Sequence, residues 1–267
     1  MKKTEVDKKE QSASLTDIID TTPYQEFAKE KLGFEFKNIS LLVTALTHRS
    51  YVNEHRKAAV SDNERLEYLG DAVLELVSSD FLYRRYDESE GIMTALRSAL
   101  VRTESIGEAG YALGYEPLVR LSKGEKMGSQ RAHEVIIADC FEAVIGAIYL
   151  DQGYETAKDF IAKHILYKID AIIEGGTWRD PKSYVQELAQ KVSGVTPTYR
   201  TLREDGPDHD KHFVVAMYID GEMFSSGEGH SKQDAQTVAA KIAVKKYREM
   251  LGPEIDRFKK NIEYSER

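Results

Sequence analysis

Ser61-Asp-Asn-Glu-Arg-Leu-Glu-Tyr-Leu-Gly-Asp71-Ala-Val-Leu-Glu75 decides how this chain is read. At about 100° per residue, Glu64, Glu67 and Asp71 fall within roughly a 60° arc of one helix face. Leu66, Leu69, Val73, Leu76 and Val77 form an apolar stripe on the same helix. Three like charges on one face repel each other unless water solvates them or a cation sits above them. Glu64 has a local alternative as the partner of Ser61 in a capping box.

A second pair of acids argues for the cation. Asp139 and Glu142 lie one turn apart inside Ile136-Ile-Ala-Asp-Cys-Phe-Glu-Ala-Val-Ile145, and no Lys or Arg falls between Ala132 and Gln152. Charges embedded in so apolar a helix are costly unless they are paired or bind metal. A helix bearing Asp139 and Glu142, set against one bearing Glu67 and Asp71, would make an all-oxygen nest for Mg²⁺ or Mn²⁺. Such an ion activates water and stabilises charge on a phosphoryl group. Oxygen ligation disfavours zinc, and the single cysteine, Cys140, agrees with that. With no activating cation or histidine beside it, Cys140 reads as a packed thiol.

Around these helices the 267-residue chain carries a formal charge of −8 with one cysteine, which excludes an intramolecular disulfide framework. No apolar run of about 18 residues is present and the first residues are too polar for a secretory signal, so no membrane association and a cytoplasmic location are expected. Leu41, Leu42, Ala45 and Leu46 continue a helical pattern that runs from Tyr24 to about Ile173, with breaks expected at Gly107–Gly114 and Gly124–Gly128. Gly124-Glu-Lys-Met-Gly128 lacks the Lys-Ser/Thr ending of a phosphate loop. Glu174-Gly-Gly-Thr177 reads as a flexible joint. The expected divisions are a polar arm 1–22, a helical domain 23–173, a linker 174–180, a second domain 181–250 and a charged tail 251–267.

The second domain reads as helix, three strands, helix. Pro181 suits the first turn of a helix running to about Val192. Thr198–Arg203 and His212–Ile219 are rich in β-branched and aromatic residues, and Asp220-Gly221 signals a hairpin into a third strand, Glu222–Gly227. Ser231 and Asp234 form a capping box, and Ala235, Val238, Ala239, Ile242 and Ala243 mark one apolar stripe. Residues 181–249 hold ten basic and ten acidic side chains and residues 250–267 four of each, so the whole −8 lies in 1–180.

Asn63-Glu-Arg-Leu-Glu-Tyr-Leu-Gly-Asp-Ala-Val-Leu74 resembles the signature of the ribonuclease III family nearly letter for letter. Thr47-His-Arg-Ser-Tyr51, Ala138-Asp-Cys-Phe-Glu-Ala-Val-Ile-Gly-Ala-Ile-Tyr-Leu-Asp151 and the C-terminal module agree, so the resemblance covers roughly Tyr24 to Met250. It implies an α+β chain: an all-α catalytic domain followed by an α-β-β-β-α double-stranded RNA-binding domain. It also implies a homodimer with an acidic valley, Glu67, Asp71, Asp139 and Glu142 as metal ligands, and Asp71 and Glu142 as catalytic. Glu64 and Glu90 match positions linked to substrate placement or the dimer. His48, inside Thr47-His-Arg-Ser-Tyr51, is expected to make structural hydrogen bonds.

The C-terminal module resembles domains that read A-form RNA across two minor grooves over about 16 base pairs. By that resemblance Gln186 and Glu187 meet one minor groove, the loop holding Pro207 and His209 meets the next, and Lys232 meets phosphate. The last helix departs from the pattern Ser-Lys-Lys-x-Ala-Lys: it reads Ser231-Lys-Gln-Asp-Ala-Gln236. Glutamine donates hydrogen bonds but releases no counterions, so Gln233 and Gln236 are expected to flatten the salt dependence of RNA binding.

The resulting expectation is a Mg²⁺-dependent endoribonuclease, with Mn²⁺ as a substitute and no small-molecule cofactor. It would hydrolyse double-stranded RNA to 5′-phosphate and 3′-hydroxyl ends and process ribosomal RNA precursors and structured transcripts. The alternative is a double-stranded RNA-binding protein that does not cut, against which the four acids speak. A phosphohydrolase for small molecules would lack a His-Asp metal motif and leave the C-terminal module unexplained.

Overall fold

Several helix starts fall where the sequence supplies a side-chain cap. The computed structural model describes residues 19–55, 61–176, 178–207 and 210–252. Helix α1, Thr22–Phe27, runs into a π-helical turn at Ala28–Leu32. Asn38 caps α2, Ile39–Ala45, by accepting from the Ser40 amide at 3.1 Å. His48 caps α3, Arg49–Glu54. Then come α4, Glu64–Arg85, α5, Glu90–Leu100, and α6, Thr103–Leu113. Ser129 caps α7, Gln130–Gln152, which is followed by α8, Tyr154–His164, and α9, Ile169–Gly175.

The chain divides into two units, Met1–Arg85 with Arg97–Ile169 and Tyr86–Leu96 with Asp170–Arg267. In the first, α7 is the central element. Ile136, Ile137, Ala138, Cys140, Phe141, Ala143, Val144, Ile145, Ala147 and Ile148 are all buried, as expected of a helix enclosed on most sides. It packs against α2, α4, α6 and α8.

In the second unit Asp180 caps α10, Pro181–Ser193, by accepting from the Ser183 amide and hydroxyl, both at 2.9 Å. An antiparallel sheet follows in the order β1, Thr198–Asp205, β2, His212–Ile219, and β3, Glu222–Gly229. Asp220 and Gly221 both have positive φ, 50° and 81°, the conformation that a two-residue type I′ hairpin demands. The last helix, α11, Lys232–Leu251, starts at the Ser231 cap, whose hydroxyl accepts from the Asp234 amide at 3.0 Å. Tyr184, Val185, Leu188, Met217, Ala240 and Tyr247 form its core with α10 and the sheet. The overall class is α+β.

Several expectations need correction. Gly107 and Gly110 do not break a helix: they lie inside α6, and a β-carbon on Gly110 would come 2.6 Å from Ile137 of α7. They are small because two helices touch there, and the chain turns only at Gly114, φ 88°. Helix α9 runs through Glu174 and Gly175, so part of the expected joint is helical. The stripe of α11 is rotated: Ala235, Ala239, Ala240, Ala243, Val244 and Tyr247 are buried, whereas Val238 and Ile242 are exposed. The backbone of β3 is the reason. A β-carbon on Gly227 would overlap the Ala239 amide, so the helix lies on its alanines and turns the bulkier pair outward. On α4, Leu76 is likewise exposed. Residues 1–18 of the expected arm 1–22, Thr177, His209 and residues 253–267 of the expected tail 251–267 lie outside the described residues.

Candidate active site

The carboxylates depend on how α4 meets α7. A β-carbon on Gly70 would overlap the carbonyl of Glu142, and one on Gly146 would overlap the carbonyl of Leu66. The helices therefore cross backbone against backbone. Gly70 has Asp71 beside it and Glu67 one turn before, while Glu142 lies directly beneath. Any larger residue at position 70 or 146 would push the two acidic faces apart.

Asn63 fixes the register. It is buried, donates its amide to the Thr47 carbonyl at 3.0 Å and accepts the Leu66 and Glu67 amides at 2.9 Å each. Its side chain donates to Cys140 Sγ at 3.5 Å. One residue thus starts α4 and ties that start to the turn of α7 that carries Asp139. The Cys140 thiol is fully enclosed and pushed up by burial and by Asp139 and Glu67, which makes it a packing group rather than a nucleophile.

The four acids share one electrostatic field. Burial, then Asp71, Asp139, Glu67 and Glu75, push the Glu142 carboxyl up to about 8. Glu67 is raised by burial, Asp139, Glu64 and Asp71. Asp71 is raised by burial and Glu75. Asp139 is raised by burial, partly offset by His48 and Arg49. Among the described residues no three His, Cys, Asp or Glu side chains are gathered into a formed metal cage. What the crossing supplies is four oxygen donors in a partly buried place where negative charge is in excess. That donor set fits a hard divalent cation.

The flanking residues sort by contact. His48 Nδ1 lies 3.3 Å from the Ser50 amide and 2.8 Å from its hydroxyl, and burial holds its pKa down, so it serves as a cap. Glu64 makes no capping box: α4 begins at Glu64, whose carboxylate pairs with Arg49 at 3.3 Å. The expectation failed because Asn63, not Ser61, starts the helix. Glu90 opens α5, solvent-exposed, in the segment Tyr86–Leu96 that groups with the second unit. Arg49 and Glu75 escaped the sequence reading although both bear on the acids' charge. Glu75 could have been found, since it repeats the four-residue step from Asp71.

In the second unit Gln186, Glu187, Pro207 and Lys232 are all exposed. Lys232 is not unopposed: its ammonium lies 3.3 Å from Glu204 Oε2, while Lys211 lies 3.1 Å from Oε1 of the same carboxylate.

A family model described as Ribonuclease-III-like matches residues 38–169, and one described as Double-stranded RNA binding motif matches residues 181–247. A curated Ribonuclease 3 from Listeria monocytogenes is 44% identical over 222 residues, which is 83% of this chain and 96% of that protein. One from Bacillus cereus is 44% identical over 236 residues, 86% of this chain and 95% of that protein. The solved nuclease domain of a ribonuclease III from Campylobacter jejuni matches at 36% identity with a TM-score of 0.47, over 52% of this chain and 96% of that one.

Proposed function

The chain belongs to the ribonuclease III family, endoribonucleases of double-stranded RNA, and we propose that Glu67, Asp71, Asp139 and Glu142 form its catalytic centre by holding Mg²⁺, with Mn²⁺ a substitute. One observation carries this assignment: the crossing of α4 and α7 gathers four partly buried carboxyl groups that are all raised, Glu67 and Glu142 of them by the charge of the others. A bound divalent ion supplies water activation and neutralises charge on the phosphoryl group being cut. The protein's part is to hold four carboxylates at a glycine–glycine crossing and to leave their negative charge only partly offset by His48 and Arg49. Asp71 and Glu142 act at the reacting phosphate, and Glu67 and Asp139 complete the ligand set. Arg49, paired with Glu64, tempers the negative field at its rim. Products carry 5′-phosphate and 3′-hydroxyl ends, and the substrates are ribosomal RNA precursors and structured transcripts.

Residues 23–173 form the catalytic domain, 174–180 the linker and 181–250 the RNA-binding domain, between an arm 1–22 and a tail 251–267. Gln186, Glu187, Pro207, His209 and Lys232 belong to the duplex-binding face, and Glu64 and Glu90 to substrate or dimer positions. The enzyme works as a homodimer in the cytoplasm. The outward side of α4 supports pairing, because Tyr68 is 81% exposed, Leu76 58% and Tyr83 60%, an apolar row that a second copy would cover. Among the described residues no helix is long and apolar enough to cross a membrane.

A cleavage assay on long RNA duplex, with and without Mg²⁺, tests the centre. Asp71→Asn and Glu142→Gln should each cut at least about a thousandfold more slowly while still binding duplex. Tight binding by the wild type without cutting, in Mg²⁺ and in Mn²⁺, would return the chain to the non-cleaving alternative.

A further inference from the structure

Helix α11 has glutamine at position 236, where its pattern calls for a lysine, but the structure brings a lysine there from another helix. Lys182, in the first turn of α10, donates from Nζ to Gln236 Oε1 at 2.7 Å, and its ammonium stands 5.4 Å from the ring centre of Tyr199. We propose that Lys182 is a phosphate-contacting cation of this domain and that the Gln236 carboxamide is its positioning partner. The inference rests on reading residues 181–250 as a duplex-RNA-binding domain and names the residue that performs part of that binding.

Three observations carry it. First, the partner is neutral. An ammonium has three N–H donors, so the bond to Gln236 fixes its direction while leaving its charge unspent and two donors open. Lys232, by contrast, shares the Glu204 carboxylate with Lys211, so its charge is offset before RNA arrives. Asp180, the nearest acid in sequence, is occupied by the Ser183 amide and hydroxyl. Second, Lys182 precedes Gln186 by four residues and so lies on the same face of α10, beside the side chain assigned to the minor groove. Third, a cation in the first turn of a helix sits at the end where the helix dipole opposes it. A local cost of that kind is expected where function asks for the charge. The module therefore keeps a phosphate contact that its α11 sequence hides, and loses fewer than the two substitutions imply.

The test uses the full chain in EDTA, so that nothing is cut, titrated onto a labelled RNA duplex of about 20 base pairs across a salt series. Lys182→Gln should weaken binding about tenfold near physiological salt and reduce the salt slope by about one. Gln236→Lys alone should gain less than about twofold, because the new ammonium meets the one already there. In the Lys182→Gln background, Gln236→Lys should restore both affinity and slope, which a misfolded variant could not do. Two results would overturn the proposal: wild-type binding by Lys182→Gln, or the same gain from Gln236→Lys in both backgrounds. Failure of the wild type to bind duplex would instead overturn the reading of the domain.

Discussion

Glu142 on α7 and Glu204 at the end of β1 both have charged neighbours, and their carboxyl groups move in opposite directions. Glu142 is pushed up to about 8 by burial and by acids alone. Glu204 is held below its usual range by hydrogen bonds from Lys211 and Lys232. The first belongs to a cluster with a deficit of cations that only something from outside can fill. The second belongs to a surface that has already balanced its charges internally. The chain's −8 is therefore a poor guide to how either region meets RNA. What matters is which charges are unspent: the oxygen donors in the first unit, and Lys182 in the second.

The comparison can be broken most severely at the helix crossing. Gly146→Ala puts a methyl group into the Leu66 carbonyl and should cost about 3 kcal/mol, the upper range for overpacking. That corresponds to a melting temperature lower by roughly 6–12 °C, and calorimetry on the purified variant reads it directly. Cutting should fall further than stability alone explains, since the two acid pairs move apart. An unchanged melt would mean that the backbones do not touch there.

Removing one charge sharpens the contrast. Below its ordinary pKa of 4.5 the Glu142 carboxyl is neutral whether the chain is folded or not. Between 4.5 and about 8 the unfolded chain gives up the proton while the folded one keeps it. The folded state therefore loses stability as pH rises through that window. Thermal melts in EDTA should show the wild type falling from about pH 5 to pH 8, and Glu142→Gln should flatten that fall and melt several degrees higher at about pH 8. Added Mg²⁺ should raise the wild type far more than the variant. A wild-type melt indifferent to pH and Mg²⁺ would remove the charge deficit from the account.

The smallest effect is expected at Glu204, and its sign is reversed. A carboxyl held low stabilises the fold above its ordinary pKa and loses that contribution as pH falls through the folded value. Glu204 is solvent-exposed, so Glu204→Gln should move the melting temperature by no more than about 2 °C near neutrality, with the loss already present in the wild type at strongly acid pH. A large drop would show that the Lys211–Glu204–Lys232 cluster holds the sheet edge together.

Much of this was legible in the chain. The acids at 67, 71, 139 and 142 follow helical spacing, Asp220-Gly221 makes the turn its composition demands, and Ser231 caps where Asp234 predicts. What escaped reading was contact between elements. Periodicity allows α11 two faces that share Ala235, Ala239 and Ala243, and the close approach of Gly227 and Gly229 from β3 selects between them. Gly107 and Gly110 look like breaks because glycine in a helix is usually a cost, while here they are the surface against which α7 lies. The partnership of Lys182 with Gln236 spans 54 residues, and no local pattern announces it. Metal identity is not written in spacing at all, because carboxylates at these steps suit Mg²⁺ and Mn²⁺ alike.

Cys140 gives the crossing a built-in clock. It is the only thiol in the chain, it is completely enclosed, and Asn63, the residue that starts α4, donates to it. A small thiol reagent can reach it only when the packing around it opens. The rate of that single modification therefore counts openings of the packing around the start of α4 and the middle of α7. Ligands that draw the acids together should slow it, and duplex RNA held only by the C-terminal domain should leave it running.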